Sequence, residues 1–157
     1  LKTYIEKDIV NFLKIENVSG FNNLIKVLAY QTGNLVNVNE LTNTVNIATN
    51  TLNKYLDILV GTYVFNLVTP FYQNTRSEIT KMPKVYVLDF GLRNYVLRTF
   101  NATASLGDFN NIGAIMENFV YLALLNTTQK DYLHFYRTVS GSEIDFIIEK
   151  DNGKKVL

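Results

Sequence analysis

Three carboxylates sit among apolar neighbours. Glu117 lies in the middle of NIGAIMENFVYLALLN (111–126), a stretch without proline that is apolar nearly all round. Glu143 and Asp145 stand two residues apart in EIDFIIEK (143–150), a run that otherwise reads as a buried strand. Successive strand side chains point to opposite faces, so Ile144, Phe146 and Ile148 share one face while Glu143, Asp145 and Ile147 share the other. A bare carboxylate out of water is very unfavourable, so Glu117 must find a cation, a metal or a proton.

The elements around these acids follow from pattern. Ile112, Ile115, Met116, Phe119, Val120, Leu122 and Ala123 occupy more than one stripe of a helix, which predicts a largely buried helix over 111–126. YLHFYR (132–137) and EIDFIIEK read as strands joined by TVSGS. Asp151-Asn152-Gly153 is a hairpin turn signal, and KKVL begins a third strand. Register decides which residue faces the acids. A two-residue turn at Ser140-Gly141 sets Arg137 opposite Ile144, and a three-residue turn sets it opposite Asp145. Pairing of Asp145 or Glu117 with Arg137 or a nearby lysine is therefore an alternative to metal chemistry.

The first two-thirds of the chain follow a different plan. YIEKDIVNFLKI (4–15) carries a helical stripe at Ile5, Ile9, Phe12 and Leu13. VSG interrupts it, and FNNLIKVLAYQTG (21–33) forms a second stripe at Leu24, Ile25, Leu28 and Ala29, with Gly33 as its C-cap. Over 37–59, Asn39 caps a short helix with Leu41 and Val45 inward, Asn46 supplies a left-handed turn residue, and Ile47 plugs the turn. Thr49 then caps a helix whose inner face is Leu52, Leu56 and Leu59. A strand-rich run (63–73), a polar loop (74–83) and a returning strand (84–89) follow, completing a winged helix-turn-helix pattern. If this part reads double-stranded DNA, Asn50, Thr51, Asn53 and Lys54 would face the bases and phosphates, with Arg76 and Lys81 of the wing reaching phosphates. Asp89-Phe90-Gly91 spells a kinase tripeptide, but the Gly-rich loop and catalytic loop of a kinase have no counterpart, and Asp89 reads as a helix cap.

Composition narrows the classes. Hydrophobic residues make up 47% and charged residues 18% of 157, as in an ordinary globular protein of one domain or two small ones. There is no cysteine and a single histidine, His134, which removes thiolate zinc sites and leaves His-based catalysis without partners. His134 reads as an ordinary strand residue. The lack of cysteine fits a cytoplasmic protein, and no apolar run approaches a membrane span. Net charge is +1. Residues 1–49 balance four lysines against four acids, 50–100 carry six bases against three acids, and 101–157 carry five against seven. A mildly basic middle beside a mildly acidic end is compatible with a nucleic-acid-facing segment next to a metal-type site. The chain opens on Leu1, which suggests a piece of a longer protein.

YIEKDI, NELTNTVNIATNTLNKYLDIL, MPKVYVLDFGLRN, GAIMENFVYLAL and FYRTVSGSEIDFII together resemble the C-terminal region of bacterial and archaeal AAA-type ATPases, over essentially all of the chain. The resemblance implies an α/β (α+β) fragment with two parts. Residues 1–98 would hold the helical segment and winged helix, and 99–157 a restriction-endonuclease-like part of the PD-(D/E)XK class, truncated at its C-terminus. In that class Glu117 matches the helix acid and Asp145 the strand acid, while the acid-x-Lys would fall just after Leu157. Asp145 would then be the main Mg²⁺ ligand, with Glu117 assisting and Glu143 supporting, for metal-activated attack on a phosphodiester. ATP would bind only in an N-terminal AAA-type module of the same chain, since no G-x-x-x-x-G-K-[ST] occurs here. The resemblance leaves three roles: an accessory module contacting DNA or a protein partner, a metal-dependent nuclease, and a subunit-assembly module forming a homo-oligomer.

Overall fold

A computed structural model describes residues 14–71, 81–98 and 112–149, with the backbone of 155–156. Its elements run α1 (Val18–Tyr30), α2 (Val38–Val45), α3 (Thr49–Gly61), β1 (Phe65–Val68), β2 (Lys84–Val87), α4 (Phe90–Leu97), α5 (Ile112–Leu125), β3 (Leu133–Arg137), β4 (Glu143–Glu149) and β5 (Lys155–Val156). The fold is α+β. The helix expected over 4–15, the loop expected over 74–83 with Arg76 and the Asp151-Asn152-Gly153 turn lie outside the described residues, apart from Lys14 and Ile15 of the first and Lys81, Met82 and Pro83 of the second.

Helix boundaries depart from expectation where side chains find backbone donors. VSG starts α1 instead of breaking the chain, because Asn17 accepts the Gly20 N–H at 2.8 Å. Asn37, rather than Asn39, caps α2, taking the Asn39 and Glu40 N–H groups. Thr49 is the first residue of α3 and Ala48 precedes it with no side-chain cap. Asn46 does adopt the left-handed conformation between α2 and α3, with φ 52°. Gly33 is not the helix cap. It lies beyond it at φ 78°, donates its N–H to Val85 O, and lets the Ala114 side chain approach to 3.0 Å of where a Cβ would stand.

β1 and β2 pair antiparallel, from Phe65 opposite Val87 to Val68 opposite Lys84. β3, β4 and β5 form a second antiparallel sheet in that order. β2 is buried at every position, so it works as a wall with two packed faces. Val85 and Val87 join Leu24, Leu28, Leu41, Leu52, Tyr55, Leu59 and Phe65 in one core. Tyr86 joins Val68, Tyr121, Leu133 and Phe135 in another. Its ring stacks on that of Tyr121 with centroids 4.3 Å apart.

α5 corrects the expectation of a largely buried helix. Asn118 and Tyr121 are its buried residues, while Ile112, Met116, Phe119 and Val120 are exposed. One stripe is enough to seat the helix on β2, and the second apolar stripe faces outward. The β3–β4 register matches neither turn considered. Arg137 lies opposite Glu143 and Tyr136 opposite Ile144, and the register then shifts so that His134 lies opposite Ile147. The connection spans 138–142, closed by Thr138 N–H to Ser142 O, with Gly141 at φ 97°.

Candidate functional site

β2 begins with a lysine whose side chain is 2% exposed, and the acids of the second half gather around it. The Lys84 ammonium donates to Glu117 Oε1 at 2.7 Å and to Asp145 Oδ1 at 3.4 Å, and is bonded to Glu143 Oε1 as well. Tyr86, two residues on and so on the same face of β2, donates its hydroxyl to Glu117 Oε1 at 2.5 Å. Arg137 holds the other oxygen of Glu143 at 3.0 Å. The predicted alternation in β4 is thus realised, since Glu143 and Asp145 both reach the same ammonium. Glu117, in the helix above, finds the cation that its surroundings demand.

Electrostatics follow from this packing. Burial by itself favours neutral Lys84, but the hydrogen bonds and charges of Glu117 and Glu143 outweigh it, and its pKa stands above that of an ordinary lysine. Burial, then the hydrogen bond to Glu117, pushes the Tyr86 phenol well above the usual tyrosine range. The donor set serves an ammonium and a phenol. Mg²⁺ requires open oxygen ligands at ~2.0–2.1 Å in a nearly octahedral shell, whereas the Glu117 oxygen facing the centre already accepts from both Lys84 and Tyr86. As arranged, the residues do not fit the ion implied by the endonuclease resemblance.

Beside the cluster runs a neutral clamp. Asn118 Oδ1 accepts the Val87 N–H at 2.9 Å and the Thr32 hydroxyl at 2.5 Å, while Asn118 Nδ2 donates to Val87 O at 2.9 Å. Both Asn118 and Thr32 are fully buried. The clamp holds α5 at fixed height on β2, and so fixes where Glu117, one residue earlier, meets Lys84.

The DNA-facing candidates lie elsewhere. Asn50, Asn53 and Lys54 are exposed on α3 and, with Asp57 and Ile58, line an open groove of about 520 Å³. Thr51 is half-buried, and Lys81 is exposed just ahead of β2. His134 sits on β3 with Nδ1 3.3 Å from Thr69 Oγ1. Lys84, Tyr86 and Asn118 were missed in the sequence. A lysine opening KVYV gives no local sign of burial, and the one available signal was the need of Glu117 for a cation.

Residues 1–103, more than half of the chain, match the family described as Domain of unknown function (DUF8612), and the chain belongs to that family. Residues 112–157 match a second, Domain of unknown function (DUF4143), a domain associated with the C-terminal regions of AAA-type ATPases. An uncharacterized protein of Mycobacterium bovis and one of Mycobacterium tuberculosis are each 27% identical over 149 residues, covering 95% of this chain and 34% of theirs. An uncharacterized protein of Haemophilus influenzae is 26% identical over 148 residues, 91% of this chain and 34% of its own. The chain therefore spans about a third of the length of these curated relatives. No solved structure gives a significant match. Among the described residues no helix is long and apolar enough to cross a membrane.

Proposed function

We propose that this chain is an accessory C-terminal module of an AAA-type ATP-binding protein, which joins ATP turnover in a preceding module to contact with double-stranded DNA or a protein partner. The observation that carries this reading is the match of 112–157 to a domain associated with AAA-type ATPases. The order α2, left-handed Asn46, α3, β1, β2 supports a winged helix-turn-helix with α3 as the outward helix. In this reading Asn50, Thr51, Asn53 and Lys54 meet the partner, and Arg76 and Lys81, from the stretch between β1 and β2, are the candidates for phosphate contact. Titration with duplex DNA over a salt series tests it. A negative slope of log affinity against log salt, reduced by about one in Lys54→Ala, supports phosphate contact. Binding that is undetectable at low salt retires the DNA arm and leaves the protein partner.

A second reading, a metal-dependent nuclease, draws on the meeting of Glu117, Glu143 and Asp145 at one point, and requires Lys84 to yield that point to the ion. Nuclease assays with Mg²⁺ or Mn²⁺ on the full-length parent, comparing Asp145→Asn, test it. Cleavage that survives the substitution unchanged removes Asp145 from that chemistry. The exposed stripe on α5 favours assembly of the module as a homo-oligomer. Sedimentation that stays monomeric at high concentration would contradict that role.

A further inference from the structure

We propose that Lys84 is the resident cation of the Glu117–Glu143–Asp145 cluster, and that its ammonium closes these carboxylates to divalent metal in the folded protein. The proposal deepens the accessory-module reading, on which it rests for its functional meaning, by assigning the cluster a positioning role. Three carboxylates face one group with three N–H donors: Glu117 and Glu143 are the close partners, and Asp145, whose side chain is 60% exposed, completes the set at 3.4 Å. Its stem rises from a strand buried on both faces, with the Phe135 ring 5.4 Å from Nζ. The inner oxygen of Glu117 is taken twice, by Lys84 and Tyr86, and the outer oxygen of Glu143 is taken by Arg137. A divalent ion at this point would have to displace an ammonium that is sheathed in protein, or stand beside it as a like charge. Lysine and arginine together leave the three acids one negative charge, against a deficit of three without them. Lys84 therefore does for β4 and α5 what a metal would do: it draws acids from two elements to one centre.

Mn²⁺ titration followed by electron paramagnetic resonance tests this on the intact chain, as wild type, Asp145→Asn, Lys84→Ala and the double variant. In the wild type, the Mn²⁺ isotherm is expected to be the same with and without Asp145→Asn. Lys84→Ala is expected to gain one tightly held Mn²⁺ per chain, which Asp145→Asn removes. A wild-type Mn²⁺ site abolished by Asp145→Asn would overturn the proposal, as would a folded Lys84→Ala that gains none. If Lys84→Ala unfolds, circular dichroism gives the answer. Refolding by Mn²⁺, but not by sodium chloride of equal ionic strength, supports the metal-like role, and failure to refold overturns it. These readouts do not involve DNA or a partner, so they fail independently of the salt series.

Discussion

At the scale of single residues, Lys84 is the group on which the acids depend. Removing one partner of a buried ion pair leaves uncompensated charge and costs ~3–5 kcal/mol. Lys84→Met is expected to lose about that much in urea denaturation. Glu117→Gln keeps an acceptor for Tyr86 and leaves Lys84 two other carboxylates, so a loss of ~1–3 kcal/mol is expected. The pH dependence follows from the same contacts. Lys84 and Tyr86 both have folded pKa values above their unfolded ones, Lys84 because its acids outweigh burial and Tyr86 because burial and Glu117 act together. Tyr121 is likewise pushed up to about 12, by burial first. Groups shifted upward contribute fully below their unfolded values and lose that contribution as pH climbs through the folded ones. Stability is therefore expected to hold to about pH 10 and to fall above it. Urea midpoints over this range should decline less steeply in Tyr86→Phe than in wild type.

At the scale of elements, β2 and α5 set the geometry, and they show how far a sequence can be read. Asn46, the Asp89 cap of α4 and the Leu52-Leu56-Leu59 face carry local signals, because turn conformation, capping and helical period are properties of a few consecutive residues. The alternation in β4 is legible for the same reason and marks Glu143 and Asp145, while Glu117 stands out as a carboxylate in the middle of an apolar helix. Lys84 does not, since its partners lie 33 to 61 residues away and only the tertiary fold brings them together. The outward stripe of α5 was misjudged because composition states how apolar a helix is and not how many faces are covered. Asn118 was equally silent in an Asn-rich chain, although its clamp spans α5, β2 and the segment after α1. Asn118→Leu strips Val87 O and the Thr32 hydroxyl of their Asn118 partner in a buried site, and leaves Val87 N–H only its 3.2 Å bond to Thr32 Oγ1. Each orphaned group costs ~1–3 kcal/mol. The variant is expected to lose several kcal/mol by chemical denaturation, whereas Met116→Gln on the exposed stripe should change stability by no more than ~0.5 kcal/mol.

For the molecule as a whole, the two family matches meet across β2. Val68, Lys84 and Tyr86 belong to the segment matching the first family, and they complete the core and ion cluster of the segment matching the second. A peptide of residues 112–157 alone lacks that wall and is expected to show no cooperative unfolding. The intact chain should unfold in one transition seen alike by fluorescence and circular dichroism. Such coupling means that a displacement of the first segment carries α5 and β4 with it.

Lys84 and the acids of α5 and β4 form one interacting cluster, and a double-mutant cycle on Lys84→Met and Glu117→Gln measures that coupling. Urea denaturation of the wild type, both single variants and the double variant should give a coupling of ~1–3 kcal/mol, the double variant losing less than the singles combined. Additive losses, with coupling near zero, would mean that the two side chains do not meet in the folded protein and would contradict the cluster.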